Sequence, residues 1–137
     1  MKKFLLVVLT LSITSVMFAG VWKTSEEFQV YKIRKADAQK ADNEGNTYTA
    51  VVNYLIAAQI AEKSNATEIQ AWQLNNAGYC LIKKFMEINA GLTPKQMTDF
   101  ELLVEARGYL QKAKDLDIEN TLKTVEKNLD FCNFYLD

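Results

Sequence analysis

The sequence predicts an all-α fold built from antiparallel helix hairpins stacked in chain order, and three observations carry that reading. Only one proline and five glycines occur in 137 residues, so there is little β-turn vocabulary and no low-complexity linker. Apolar residues recur at three-to-four spacing through five segments. The breaks between those segments are short, and short loops make successive helices antiparallel neighbours. A length of 137 residues with 49% hydrophobic and 24% charged side chains suits one modest core and not two.

Residues 1–19 stand apart from the fold. "MKKFLLVVLTLSITSVMFAG" begins with Lys2 and Lys3, continues as an apolar run from Phe4, and closes on Ala19 and Gly20. That is the pattern of a secretory signal peptide, with cleavage expected after Ala19 although Met17 is larger than the ideal residue at its position. The apolar core, about a dozen residues, falls short of the roughly 20 needed to span a bilayer, so no stable membrane insertion is expected after cleavage. No cysteine follows the run, which argues against a lipid-anchored form. The dilysine start and this lack of a lipidation site point to a bacterial periplasmic or secreted setting, with residues 20–137 as a single domain.

Charge and composition then exclude several function classes. Removing Lys2 and Lys3 leaves 14 basic against 17 acidic residues, a net charge of −3. Nucleic-acid binders need a basic face, so none is expected here. No histidine is present, which removes His-based triads, a His general base and the commonest zinc ligand. No metal and no other cofactor is expected. Export permits a disulfide between Cys80 and Cys132, and two buried thiols on apolar helix faces are the other reading.

The first helix is expected from about Ser25 to Asn43, stopped by Gly45-Asn46. The second runs from Thr47 to about Lys63, with Val51, Tyr54, Leu55, Ala58 and Ala61 on its apolar face. The third covers about Ala66 to Asn89, with Leu74, Gly78, Leu81, Phe85 and Ile88 as its inward stripe. Gly91 and Pro94 end it and restart helix. Thr93 as cap, Pro94 at the first position and Gln96 completing a capping box start the fourth helix, which is expected to reach about Leu116. The fifth extends from about Ile118 to Leu136 along Leu122, Val125, Leu129, Cys132 and Leu136.

Self-similarity separates a stack from a bundle. "GNTYTAVVNYLIAA" places Gly45, Ala50, Tyr54 and Ala57 at spacings of five, four and three, and "ARGYLQKAKDLDIEN" repeats the last part with Ala106, Leu110 and Ala113. Small alanines let two helices approach closely while the larger residue between fills the groove beside them. These segments resemble the second helix of a tetratricopeptide repeat (TPR). "AKDLDIEN" resembles that family's helix end and acidic turn, with Ile118 where proline is usual. "LNNAGYCL" is similar to its first helix through Ala77, Gly78 and Leu81, and Ala38 falls where the family has its close-packing glycine. The second hairpin is longer than the family's, and the fifth helix reads as the capping helix that a stack of repeats needs. The resemblance implies a short right-handed superhelix.

It also implies function: the family binds peptides or helices of partner proteins in a groove lined by first helices. "AWQLNNAGYCLIKKF" would be such a helix. With Gly78 as the packing residue, Asn76 falls where peptide-binding members hold an amide against the ligand backbone, and an amide both donates and accepts. Trp72, Tyr79 and Lys83 share or adjoin that face at helical spacing, where Trp and Tyr are good anchors. Trp72 and Tyr79 also read as core aromatics, and Asn76 as a bond to a neighbouring helix. Lys32, Arg34 and Lys35 are the basic residues the first helix offers, a loose match to the family's carboxylate clamp.

A second partner-binding candidate is the chain end, where Phe131, Phe134 and Tyr135 either widen an exposed aromatic patch or pack back on the fourth helix. Such a patch could pair two copies. Glu101 and Glu105, four apart, and Asp115 with Asp117 are the paired carboxylates, and their mixed-charge surroundings read as solvated surface. No catalytic residue is assigned. Asn65-Ala66-Thr67 has the form of a glycosylation sequon and sits where a turn is needed. The expected function is therefore a non-enzymatic protein- or peptide-binding module, an adaptor or assembly factor. The alternatives are a closed helical bundle holding an apolar small molecule or lipid, and a self-associating structural protein.

Overall fold

A computed structural model describes residues 22–137, so the leader and its cleavage point lie outside the described residues. Those residues form five α-helices: α1 Ser25–Asn43, α2 Thr47–Lys63, α3 Thr67–Ile88, α4 Glu101–Asp115 and α5 Glu119–Leu136. None is long and apolar enough to cross a membrane. Each helix packs on the next in chain order, and α5 also packs on α3. No substantial contact between α1 and α5 closes the array into a ring.

Local chemistry sets the boundaries. Thr24 caps α1 by accepting a hydrogen bond from the Glu27 amide at 3.0 Å, and Glu26 and Glu27 sit at the positive end of its dipole. The next two turns are built alike. Gly45 takes φ +75° and the Asn46 amide donates back to the Ala41 carbonyl at 2.8 Å; Asn65 takes φ +56° and the Ala66 amide donates back to the Ala61 carbonyl at 2.9 Å. Both close on a left-handed residue that satisfies the last carbonyls of the preceding helix. The Asn65 sequon is thus one of these turns.

The expected start of the fourth helix is corrected. Thr93, Pro94 and Gln96 do interact, the Thr93 amide donating to Gln96 Oε1 at 3.0 Å, but they form a single 3-10 turn at Pro94–Gln96. Asp99 then takes φ +62°, which no helix can continue through, and α4 begins at Glu101. Buried Asn89 holds this connection. Its amide donates to the carbonyls of Phe85 and Thr98 and its oxygen accepts from the Thr98 amide at 2.8 Å.

The main core lies where α2, α3, α4 and α5 meet, around Leu81, Phe85, Leu103, Leu110 and Val125. Gly78 brings α3 close to α4: a Cβ there would stand 2.7 Å from Leu110 Cγ. Ile88, expected on the inward stripe of α3, is exposed instead because the chain turns away at Asn89. A second, smaller cluster holds α1, with Trp22 stacked against Tyr31 at 4.6 Å over Ala57, Ala61 and Ala66. Cys80 and Cys132 are both free and buried.

Candidate functional site

α1 and α3 face each other across a groove of about 980 Å³. Direct ties between the two helices are polar. Gln73 donates to the Tyr31 hydroxyl at 3.2 Å, and Lys83 Nζ reaches both carboxylate oxygens of Asp42 at 2.7 Å. Around the first of these ties the helices leave a channel lined by rings and amides. Phe28 and Tyr31 from α1 and Trp72 from α3 supply the rings; Gln39, Gln73 and Asn76 supply the amides.

Helical periodicity puts the α3 residues there. Trp72, Asn76, Tyr79 and Lys83 follow one another at spacings of four, three and four, so they run along one side of α3. Trp72 and Asn76 line the groove and are half-buried. Asn76 donates to Gln73 Oε1 at 3.5 Å, a long bond that leaves most of its capacity unused. Tyr79 lies outside the groove lining, 43% exposed, with the Lys83 ammonium 5.3 Å from its ring centroid. Lys83 ties α3 to α1 through Asp42. Trp72 and Asn76 are therefore together in the groove, while Tyr79 and Lys83 continue the same side beyond it.

Of Lys32, Arg34 and Lys35, Lys32 and Lys35 line the groove. Arg34 does not: its guanidinium turns to α2 and donates to Asn53 Oδ1 at 3.3 Å. Lys32 Nζ lies 5.3 Å from the Phe28 ring centroid, a cation–π contact at the groove wall. Phe28, Tyr31 and Gln39 carry no signal in the sequence that marks them as groove residues. Their spacing marks one face of α1, but only the packing of α1 on α2 reveals which face remains open.

The chain end divides. Phe131 and Tyr135 are half-buried against the core, and Tyr135 meets Phe85 of α3 edge-on at 5.4 Å. Phe134 alone projects, 79% exposed, with only the Tyr135 ring at 5.0 Å for an aromatic neighbour. The aromatics thus pack back chiefly through Tyr135 on α3, and the exposed remainder is one ring.

Glu101, Glu105, Asp115 and Asp117 all face solvent; Glu105 accepts from the Tyr109 hydroxyl at 2.8 Å and Asp115 from Gln111 at 2.9 Å. Burial pushes the Cys80 thiol up to about 12, and the neighbouring Asp42 carboxylate adds to the shift. Burial likewise pushes Cys132 up to about 11, with Arg107 pulling the other way. Thiols held this high carry negligible thiolate near neutrality and are poor nucleophiles. Comparison with protein-family models, curated proteins and solved structures finds no match to this chain.

Proposed function

We propose that this protein is a non-enzymatic binding module of the bacterial cell envelope, exported by its leader, that holds an extended segment of a partner protein in the α1–α3 groove. The observation that carries the reading is the pairing of the rings of Phe28, Tyr31 and Trp72 with the amides of Gln39 and Asn76, Gln73 being buried and tied to Tyr31. An extended peptide brings unpaired backbone donors and acceptors into a groove, and each left unsatisfied on burial costs about 1–3 kcal/mol. Side-chain amides answer both kinds. The rings supply apolar area and anchoring. The TPR-like reading is supported by the same geometry: Gly78 lies against Ala106 and Leu110, and Ala38 and Ala50 are fully buried. In that reading α1–α2 and α3–α4 are hairpins and α5 the capping helix.

The test is a display selection with random twelve-residue peptides, followed by affinities of the enriched sequences for wild type, Asn76→Ala and Trp72→Ala. Losing one ligand-facing amide is expected to weaken binding roughly tenfold, equivalent to about 1.4 kcal/mol. Losing the Trp72 ring is expected to cost about 2 kcal/mol or more, about thirtyfold. Peptides that bind both variants as tightly as wild type would show that the groove is not the site. Mass spectrometry of the protein recovered from its own cells tests the setting: the expected first residue is Gly20, and a retained leader refutes export by cleavage.

A further inference from the structure

We infer that the partner segment held in the α1–α3 groove is acidic: an extended stretch whose internal aspartate or glutamate side chains pair with Lys32 and Lys35. The inference rests on the peptide-binding reading above and names the chemistry of its ligand.

The charged residues that line the groove are Lys32, Lys35 and Glu68. Glu68 is drawn toward α5, where its Oε1 accepts from the Asn120 amide at 3.1 Å. The acids beside the groove are engaged as well. Asp42 is held by Lys83 at 2.7 Å, and Glu27 accepts from the Ser64 hydroxyl at 2.8 Å. Glu26 and Asp37 lie six residues before Lys32 and five after it, about 120° and 140° around α1 and so on its far side. Among the described residues neither Lys32 nor Lys35 forms an ion pair. The groove of a chain with net charge −1 thus presents two positive charges that the chain itself leaves unanswered.

The surroundings of these lysines suit a carboxylate. The Lys32 ammonium sits 5.3 Å from the Phe28 ring centroid, which places it beside the groove rings while its N–H donors can still serve an acceptor. An acid bound there is shielded from water by the rings, and charges attract more strongly where water is excluded. Spacing selects internal side chains over a chain end. A terminal carboxylate is best held by donors that converge on one point. Lys32 and Lys35 stand about 4.5 Å apart along the helix axis. No third cation joins them, because Arg34 points to Asn53 and Lys83 is committed to Asp42. An extended chain presents every second side chain on one side, roughly 7 Å apart, within reach of two flexible lysines. The contact with Phe28 sets one acid within about two or three residues of the apolar side chain that rests on the rings.

The random-peptide selection described above supplies the ligands, displayed with their C-termini joined to the carrier. Enriched peptides are resynthesised with free and with amidated C-termini. Affinities are measured for wild type, Lys32→Glu/Lys35→Glu and a control, Lys95→Glu/Lys123→Glu, each checked for retained helicity. The control makes the same change in net charge at exposed positions outside the groove. Enriched sequences should carry Asp or Glu close to an aromatic or aliphatic residue. The groove reversal should weaken them at least about tenfold, since like charges then face each other, and the control should change affinity less than about twofold. Wild-type affinity should fall as salt is raised. Peptides without an excess of acid that still need Trp72 and Asn76 would overturn the acidic ligand and leave the groove standing as a peptide site. Equal losses in the two reversals would reduce the effect to net charge and overturn it. A peptide that binds as the free acid and not as the amide would place the charge at the chain end, which also overturns it. A library that enriches nothing would remove the groove as a peptide site and this ligand with it.

Discussion

Gly78→Ala tests the close packing of α3 on α4. A Cβ at position 78 would lie 2.7 Å from Leu110 Cγ, 3.0 Å from Leu110 Cδ2 and 3.2 Å from the Ala106 carbonyl oxygen. Carbon atoms in good contact sit about 3.5–4.0 Å apart, so the added methyl must displace Leu110 or push α4 away. Leu110 is fully buried, with no solvent to move into. Overpacking of this kind costs about 1–3 kcal/mol. Replacing a mid-helix glycine by alanine gains about 1 kcal/mol of helix propensity, so the net expected loss is about 0–2 kcal/mol. Gly108→Ala is the control, because that glycine is also helical and a Cβ there meets nothing within 4 Å. It keeps the propensity gain alone, and the two variants should differ by about 1–3 kcal/mol in urea unfolding followed by circular dichroism. In a Leu110→Ala background the two closest clashes vanish, and Gly78→Ala should become stabilising. Equal shifts for Gly78→Ala and Gly108→Ala would refute the close approach of α3 and α4, and so would an undiminished penalty in the Leu110→Ala background.

Three further outcomes follow from the same contacts. Asn89→Ala removes three hydrogen bonds at a buried position and should lower stability by about 2–3 kcal/mol, while a change under about 0.5 kcal/mol would contradict its clamping of the 89–98 connection. Phe131→Ser should cost about 2 kcal/mol through its contact with Tyr135 at 5.1 Å, whereas Phe134→Ser should stay within about 0.5 kcal/mol; equal losses would mean that Phe134 is packed. Stability should fall as pH rises above 9.0, the ordinary value of both thiols, because Cys80 and Cys132 keep their protons to about 12 and 11 when folded. The native state then binds more protons than the unfolded one, so the slope is negative, at most about 1.4 kcal/mol per pH unit for each thiol. Tyr54, pushed up to about 12 chiefly by burial, adds to it above 10.0. A urea midpoint unchanged between pH 8 and about 10.5 would refute the burial of these groups.

Helix number and most boundaries were legible because the signals that set them are local. Thr24 caps within its own turn, and Gly45 carries its left-handed conformation wherever it sits. The region 93–100 misled for the same reason: Thr93, Pro94 and Gln96 make their local bonds, but the outcome depends on Asp99 turning left-handed and on Asn89 reaching nine residues forward. On α3 the resemblance singled out Gly78 as the packing residue, and helical spacing then sets Trp72 and Asn76 on the other side, where they line the groove. The α1 half was not legible. α1 has few apolar residues to declare an inward side, burying only Tyr31, Ala38 and Ala41, and Lys32 and Arg34 look interchangeable until α2 claims Arg34. Pairs such as Asn75 with Asn128 at 2.9 Å, 53 residues apart, leave no mark on either local pattern.

The uneven burial bears on how the groove can work. α3, 22 residues long, lines it and buries ten of its residues against its neighbours, so it is the fixed element. α4 is anchored behind it by Leu102, Leu103 and Leu110 in the main core. α1, the other wall, is held by alanine contacts, a small aromatic cluster and ties at Gln73–Tyr31 and Lys83–Asp42. The Lys83–Asp42 pair is partly exposed, with side chains 38% and 25% accessible, and ion pairs of that kind contribute about 1 kcal/mol or less. Local opening is cheapest where buried apolar contact is thinnest, so α1 should separate from α3 at a lower free energy than global unfolding. The groove can then widen to admit an extended segment and close on it, while α3 and α4 keep their shared core. A groove that must accept an irregular backbone needs that freedom.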